Sequence, residues 1–382
     1  MNSVFTTRFL RPFLFILLSF GLAFGIQDVS ASGNTGVKEK FDPGTMITEH
    51  ITDAHDWHLW GEGHHAVSIP LPIIIYNPEN GFDVFLSSNF HHAHDTYNGY
   101  ALIHNHIVAV NETGTVAVED ATINEELTAS LFDISITKNV LSLFISLIIM
   151  FLMFTSVAKA YTRREGKAPK GLQSLIEPLV IFVRDDIAKA SIGGKKYMKF
   201  LPYLLTAFFF IWINNLLGLI PLFPGGANLT GSISVTMTLA LITFIITTVN
   251  GNKHYWLHVF AMPGVPIWVL VLLTPIEILG VFLRPFVLMI RLFANITAGH
   301  IIALSFFSLI FIFGEMSTGA GIGVSIFTIA FTVFMTCLEL LVAFLQAYVF
   351  TLLSAIYIGA AVEEHDHDTH GHDAHVEEAL II

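Results

Sequence analysis

Residues 283–303 read LRPFVLMIRLFANITAGHIIA, an apolar segment that should cross a membrane and that contains Arg291, Asn295 and His300. A charge near the bilayer centre costs roughly 2.5–3.5 kcal/mol on insertion scales, so such residues usually face a protein interior or a water-filled cavity. Arginine cannot lose its charge to avoid this cost, because its pKa stays above about 12. The segment therefore indicates a function as well as a fold.

The composition is typical of a polytopic membrane protein. Hydrophobic residues make up 54% of the 382 residues and charged residues only 13%, a balance that does not suit an ordinary soluble domain. The formal net charge is −12, but Lys and Arg cluster between Arg163 and Lys199, and a basic cluster beside an apolar span marks the cytoplasmic side. No basic face accompanies aromatic stacking positions, so nucleic acid is not expected as a partner. The single cysteine, Cys337, excludes a disulfide framework.

The N-terminus is predicted to be a secretory signal over residues 1–31. Arg8 and Arg11 precede an apolar stretch, Pro12–Ile26, and small residues allow cleavage after Ala31. The alternative is an uncleaved first membrane span. Either interpretation places the segment that follows outside the cytoplasm.

Residues 32–138 are polar and are predicted to form a small β-rich domain outside the membrane. Turns rich in Gly, Pro, Asn and Asp separate three candidate strands, which are Ala66–Tyr76, Gly81–Ser88 and Tyr100–Val110. The segment contains ten histidines, and clusters such as His64–His65, His91–His94 and His104–His106 could bind a metal. We favour surface histidines without a ligand role, because no cysteine or regular ligand spacing supports a metal site.

Three segments have the apolarity and the length, about 20 residues, of upright membrane helices: Val140–Ala158, Phe200–Leu222 and Ser232–Val249. The second contains Asn214 and Asn215, whose amides are expected to link neighbouring helices. Gly171–Ile192 mixes apolar and charged residues, so we predict an amphipathic helix at the cytoplasmic interface, bent at Pro178.

The last two apolar runs are too long for upright spans. The first is predicted to begin at Thr274 as the N-cap, with Pro275 at the first helical position and Glu277 as the capping-box partner. Glycines over Gly314–Gly323 separate it from a second run, Val324–Ala361. A helix of about 40 residues is roughly 60 Å long, twice the thickness of the hydrocarbon core. Both helices must therefore be steeply tilted, kinked or extended beyond the membrane.

The predicted fold is an all-α polytopic membrane protein with about five transmembrane helices in residues 139–362. The long tilted C-terminal hairpin and the interfacial helix belong to this region, and the β-rich domain precedes it. Five spans after an exported domain place the C-terminus in the cytoplasm. In the tail, residues 363–382, histidines alternate with acids; metal binding is one interpretation, and a disordered polar tail is the one that we favour.

Helix geometry places the polar residues of the hairpin relative to one another. Asn295 lies one turn after Arg291 on nearly the same face, whereas His300 points to the opposite side of the helix from Arg291. In the second helix Glu339 and Gln346 are seven residues apart on one face. His300 and Glu339 are each about 15–20 residues from the hairpin turn, so they can meet at one depth. Such a pair can pass protons, and a static buried ion pair is the alternative.

The chain from Val140 to His365 resembles subunit a of the F-type ATP synthase membrane sector. The resemblance is strongest in Arg291-Leu292-Phe293-x-Asn295-x-x-Ala298-Gly299, and it extends to Gln346-Ala347 and to the ending Ala360–His365. It implies a stator subunit with two proton half-channels that couples ion flow to rotation. The partners that it implies are a ring of c subunits, b-type peripheral stalk subunits, other ATP synthase subunits and the lipid bilayer, in the inner membrane of a bacterium.

The resemblance also implies roles for individual residues. Arg291 would face the c-ring, whose carboxylates carry the protons. The proton path would include Asn295, His300, Glu339, Gln346 and Glu277. The last of these matches a carboxylate near the cytoplasmic half-channel, although its capping-box role is an adequate structural explanation. His300 and Glu339 match two positions where the family has a titratable pair, in either order.

No cofactor is expected, and no nucleotide site is apparent. The segment Gly193–Lys196 lacks the upstream Gly and the following Ser or Thr of a phosphate-binding loop, so ATP formation would belong to other subunits. The alternative function is a secondary ion or metal transporter. A transporter should have repeated halves with interrupted helices, which the sequence does not show, and a metal-handling role leaves Arg291 unexplained.

Overall fold

The computed structural model describes residues 43–60, 67–78, 80–91, 93–103, 105–112, 114–220, 223–262 and 264–363. The predicted signal peptide, nearly all of the predicted tail, and His64, His65, His92 and His104 lie outside the described residues. The chain divides into two compact units. The first contains the residues up to 159 together with 209–235 and 292–346, and the second contains 160–208, 236–291 and the residues from 347 onward.

Short antiparallel strands dominate the N-terminal part of the first unit, which confirms the predicted β-rich region. The elements in chain order are α1 (Pro43–Ile51), β1 (Asp56–Trp60), β2 (Val67–Pro70), β3 (Pro72–Asn77), β4 (Gly81–Leu86), β5 (Tyr100–Ile103), β6 (His106–Ala109), α2 (Glu125–Ser130) and β7 (Phe132–Asp133). β1 pairs with β2 and β5 with β6, and a three-stranded sheet has the order β4-β3-β7.

Two of the three predicted strands are in fact two strands each. The segment Ala66–Tyr76 breaks at Leu71, and Tyr100–Val110 is the β5–β6 hairpin, which turns at Asn105. Asn105 has a φ of 63°, and asparagine is among the few residues that adopt this left-handed conformation readily. β1 and α1 were not predicted, because each is short.

The core of this domain lies on one face of the three-stranded sheet. Ile73 and Ile75 on β3 are fully buried and pack with Phe90, Tyr100 and Leu102. Complete burial of one such side chain contributes about 1.5–3 kcal/mol. Burial alternates along β3, as expected for a strand with one face on the core.

A histidine–aspartate pair links the start of β1 to β7. His55 Nε2 and Asp133 Oδ2 are 3.0 Å apart, and His55 is buried. Burial opposes ionisation of Asp133, but hydrogen bonds from His55 and from the hydroxyl and backbone N–H of Ser135 outweigh it and lower the pKa of Asp133 to about 2. The carboxylate therefore stabilises the fold in its ionised form.

Asp133→Asn is expected to destabilise the protein at neutral pH and to matter less in acid. Because the pKa of Asp133 is lower in the folded state than its ordinary value of 3.8, its contribution is present above about pH 4 and is lost as the pH falls towards 2. The measurement is the thermal unfolding midpoint of the purified chain in detergent, from pH 7 to pH 2. Glu126→Gln, an exposed substitution in α2, is the control, and a gap between Asp133→Asn and the native chain that does not shrink with falling pH would contradict the prediction.

The membrane part contains the predicted spans. Four helices are long and apolar enough to cross a membrane, and a bent pair brings the number to as many as five among the described residues. The four are α3 (Lys138–Arg163), α6 (Tyr197–Gly218), α9 (Ile267–Met316) and α10 (Thr318–Val362). The pair consists of α7 (Ile233–Val249) and α8 (Lys253–Phe260), bent by 103°. The prediction of about five transmembrane helices is confirmed.

The predicted interfacial segment is helical throughout. It consists of α4 (Leu172–Phe182), a π-helical stretch, Val183–Lys189, and α5 (Ala190–Ile192). Pro178 lies inside α4, and the π-helical stretch was not predicted. The order of charged and apolar residues in this segment agrees with an amphipathic helix.

Two side chains of the second unit fix the C-terminal end of α10. Lys196 Nζ donates to the carbonyl of Val362 at 2.9 Å, and Asn252 Nδ2 donates to the same oxygen at 3.0 Å. The last carbonyls of a helix have no partner inside the helix, and a cation there is favourable. The helix therefore ends at a defined point, close to the predicted end at Ala361.

The predicted helix start at Thr274 is wrong. α9 begins at Ile267, directly after Pro266, so Thr274 lies inside the helix and its hydroxyl donates to the carbonyl of Phe260 at 3.1 Å. The apolar run before Thr274 continues the helix, and a membrane helix tolerates Pro275 in its interior. Glu277 is thus not a capping-box partner, and the structural explanation for its carboxylate does not apply.

The hairpin helices are even longer than predicted. α9 has 50 residues and α10 has 45, which corresponds to about 75 Å and 68 Å. Only Ser317 separates them. The predicted break over Gly314–Gly323 is therefore much shorter, because these glycines lie at the helix ends, where α-helical backbone still forms.

Candidate functional site

A small chamber of about 20 Å³ lies among helices α6, α9 and α10 within the first unit. Its polar lining consists of Asn214, Asn215, Asn228, Thr230, Asn295, His300 and Glu339. A volume of this size holds about one water molecule, provided that polar partners surround it. The chamber therefore offers titratable groups and neutral amides around a space suited to water.

The structure brings His300 and Glu339 to the same chamber. No direct ion pair joins them among the described residues, so the alternative of a static ion pair finds no support. Oε1 of Glu339 is buried without a hydrogen-bond partner in the described part of the chain. A buried carboxylate without a partner is costly, and water in the chamber or protonation would relieve that cost.

Gly299 allows α9 and α10 to approach each other beside Glu339. A Cβ atom at this position would lie 2.8 Å from Oε1 of Glu339, which is closer than van der Waals contact. On the other side of the chamber, a Cβ atom at Gly218 would lie 3.8 Å from Nε2 of His300. Gly299 thus sets the spacing of the walls beside Glu339, whereas a Cβ atom at position 218 would be in ordinary van der Waals contact with His300.

The two adjacent asparagines of α6 have different partners. Asn215 Nδ2 donates to the carbonyl of Ala343 in α10 at 3.2 Å, and Asn215 Oδ1 accepts from the hydroxyl of Thr230. Asn215 therefore links α6 to α10, as expected for an amide between membrane helices. Asn214 Nδ2 donates to Phe210 of its own helix at 2.8 Å, and its carbonyl oxygen has no partner among the described residues.

Asn228 and Thr230 were missed by sequence reasoning. They lie in the loop between α6 and α7, and the sequence analysis assigned them no role. Neither amide atom of Asn228 has a partner within the described residues, although the residue is buried. A sequence signal existed, because two polar residues stand between apolar ones in Ala227–Gly231, but only the path of the loop shows that they face the chamber.

The remaining predicted site residues also lie on the two long helices. Asn295 lines the chamber but is largely exposed, and Gln346 in α10 is only 8% exposed. Arg291 is exposed on α9 and forms no ion pair among the described residues. A membrane-embedded cation on an exposed surface requires a partner outside this chain or a wet surface.

A second arginine of α9, Arg284, has a structural partner and was not noted in the sequence. Its guanidinium lies 5.7 Å from the ring centroid of Tyr357, within the range of a cation–π interaction. Glu277, Arg284 and Arg291 follow one another at intervals of seven residues, so they share one face of α9. This spacing was visible in the sequence and is the signal that could have identified Arg284.

Comparisons with known proteins assign both parts of the chain to families. The family described as ATP synthase A chain matches residues 140–359, and a domain of unknown function (DUF8433) matches residues 46–134. ATP synthase subunit a 2 of Chlorobaculum tepidum is 46% identical over 254 residues, which cover 65% of this chain and 68% of that protein. ATP synthase subunit a of Chloroherpeton thalassium is 42% identical over 249 residues, which cover 63% of this chain and 71% of that protein. The subunit of Myxococcus xanthus is 42% identical over 248 residues, which cover 63% of this chain and 78% of that protein.

Proposed function

Since the chain belongs to the ATP synthase A chain family, we propose that it is the stator subunit that forms the two proton half-channels of an F-type ATP synthase. It is a component of that complex and not an enzyme on its own, and it works with other ATP synthase subunits as a multi-pass membrane protein. Family membership does not favour the alternative, a secondary ion or metal transporter.

The observation that best supports a proton route is the chamber around His300 and Glu339. Proton transfer requires groups that change charge and a chain of hydrogen-bonding partners, and the chamber combines both with room for about one water. We assign it to the half-channel that opens to the outside. A proton that enters there would pass through His300 and Glu339 to a carboxylate of the c-ring.

Arg291 has the complementary role at the ring. A protonated carboxylate can rotate through lipid because it is neutral, and after nearly a full turn it would meet Arg291. A fixed cation favours the ionised form of a carboxylate, so the proton would be released towards the cytoplasm. Asn295 and Gln346 are proposed as polar neighbours along this route, and Glu277, which is free of a capping role, as the carboxylate of the cytoplasmic half-channel.

The orientation and the partners follow from the same proposal. Basic residues between α3 and α6 mark the cytoplasmic side, so the domain within residues 32–138 lies outside the cytoplasm and the C-terminus inside. The family matches at 46–134 and 140–359 fall within the predicted domain boundaries. We propose the c-ring and b-type peripheral stalk subunits as direct partners, in the inner membrane of the cell.

Proton conductance of reconstituted vesicles tests this function. Under an imposed membrane potential, vesicles that contain the membrane sector without the catalytic sector are expected to take up protons. Each half-channel ends inside the membrane, so the chain alone should not conduct, and neither should the c-ring alone. Conductance by the chain alone would contradict the proposal and favour a transporter.

Gly299→Ala is expected to lower ATP-driven proton uptake several-fold while the complex still assembles. The added methyl group would collide with Oε1 of Glu339, so the carboxyl group of Glu339 must move. Overpacking of this kind costs about 1–3 kcal/mol. Gly314→Ala in the same helix is the control, since a Cβ atom there meets nothing within 4 Å. Equal initial uptake rates of the two variants, normalised to assembled complex, would contradict the prediction.

A further inference from the structure

A short segment of the N-terminal domain holds the first turn of α3. The backbone N–H of Asn139 donates to Oδ1 of Asp53, and that of Lys138 donates to the carbonyl of Ala54, both at 2.9 Å. The first N–H groups of a helix have no partner inside the helix, and a carboxylate at this end is favourable. The domain thus supplies the cap of the first membrane helix from a residue 86 positions away.

The same segment contacts the loop that forms one wall of the chamber. Trp57 on β1 is 3% exposed, and its ring packs edge to face on Phe223, with ring centroids 5.2 Å apart and an interplanar angle of 72°. This arrangement is favourable for aromatic pairs. Phe223 lies in the loop between α6 and α7, whose residues Ala227, Asn228 and Thr230 line the chamber.

A buried basic residue lies at the junction between the N-terminal domain and α3. Lys138 is 8% exposed and interacts electrostatically with Asp53 and Asp56 of the N-terminal domain. Lys138 thus adds a buried basic residue to the junction between the N-terminal domain and α3.

We propose that the N-terminal domain forms the outer wall of the proton inlet, with Trp57 and Asp53 as positioning residues. Trp57 holds the loop that carries Asn228 in the position that closes the chamber, and Asp53 fixes the start of α3 against the same part of the domain. This inference rests on the proposed function of the chamber as the inlet. It gives the domain matched at 46–134 a role in proton entry.

The access of a thiol reagent to the chamber tests the wall directly. The background carries Cys337→Ser and Asn228→Cys, in the assembled complex in right-side-out vesicles, and the probe is a charged, membrane-impermeant methanethiosulfonate added outside. The chamber is too small for this reagent, so labelling should be slow. Trp57→Ala is expected to accelerate labelling about tenfold, which corresponds to about 1.4 kcal/mol.

Two further variants separate positioning from general damage. Trp57→Phe retains an aromatic ring opposite Phe223 and should keep labelling slow. Phe82→Ala removes an aromatic ring that is 67% exposed on β4, and it should also leave the rate unchanged. Equal labelling rates in Trp57→Ala and Phe82→Ala would overturn the proposal.

A second variant tests the same contact if Trp57→Ala prevents assembly of the complex. Phe223→Ala removes the same contact from the side of the loop, and it must accelerate labelling as well; an unchanged rate would overturn the proposal. Labelling does not depend on proton flow, so the outer wall and the role of the chamber as the inlet are tested separately. If complete modification of the thiol introduced by Asn228→Cys leaves proton conductance intact, the chamber is not the inlet. If modification stops conductance but Trp57→Ala does not change the labelling rate, only the wall is refuted.

Discussion

Arg291→Ala is expected to abolish ATP-driven proton pumping while the complex still assembles, and to open a passive proton leak. Arg291 is exposed on α9, where it would lie against the ring and not in the core of this chain, so its loss should not disturb folding. Without the cation, a ring carboxylate no longer ionises at the exit, and protons can pass between the half-channels. Coupled pumping should fall by more than about 100-fold, or about 2.7 kcal/mol.

The measurements are the initial rate of ATP-driven proton uptake and the passive conductance of the same vesicles. Arg291→Lys keeps a charge but loses the planar, delocalised guanidinium, so part of the barrier to the leak should remain. Arg284→Gln is the matched control on the same face of α9, because its guanidinium is already held near Tyr357; pumping should be retained. Unchanged coupled pumping in Arg291→Ala would refute its assignment and restore the transporter alternative.

The second large effect is expected for Glu339→Gln in the chamber. The amide has nearly the same size and can hydrogen-bond, but it cannot take up and release a proton, so assembly should survive while proton entry fails. A positioned acid–base group contributes about 100-fold or more to proton transfer, and a loss of this order is expected in potential-driven proton uptake after the catalytic sector is removed. His300→Gln should have a similar effect, because both groups line one chamber.

Exchange of the two groups distinguishes a proton path from a structural pair. His300→Glu combined with Glu339→His restores one imidazole and one carboxyl to the chamber, and it should conduct faster than either single substitution to glutamine. Such non-additivity is expected of neighbours that act together. Cys337→Ser, an exposed substitution two residues before Glu339, is the control. Native rates in Glu339→Gln would refute the assignment of the chamber.

Much of the membrane part could be predicted because length and apolarity decide it. A run as long as Val140–Ala158 has few alternatives to a membrane helix. The start of α9 was missed because Thr274-Pro275-Ile276-Glu277 matches a capping box locally, whereas the apolar run from Ile267 onward lets the helix begin earlier. In the N-terminal domain, the pattern identified strand-forming segments but not the breaks within them, which depend on pairing partners.

The residues of the candidate site also differ in whether the sequence could predict them. Positions on long helices can be counted from a turn, so Glu339 and His300 could be placed near each other before any coordinates existed. Loop residues cannot be counted in this way, and Asn228 reaches the chamber only because the loop folds back over α6. The contact between Trp57 and Phe223 joins residues far apart in the chain, and no periodicity predicts it.

The length of α10 determines how the membrane potential acts on the proton route. A helix of 45 residues, about 68 Å long, remains inside a core of about 30 Å only if its axis lies more than about 60° from the membrane normal. From Glu339 to Gln346 such a helix then advances about 10 Å but descends only about 5 Å. A charge that descends by this amount gains about 0.4 kcal/mol per 100 mV. In the proposed proton route, the voltage would therefore act mainly where protons enter and leave, and the distance along such a tilted helix would separate the two half-channels at little electrical cost.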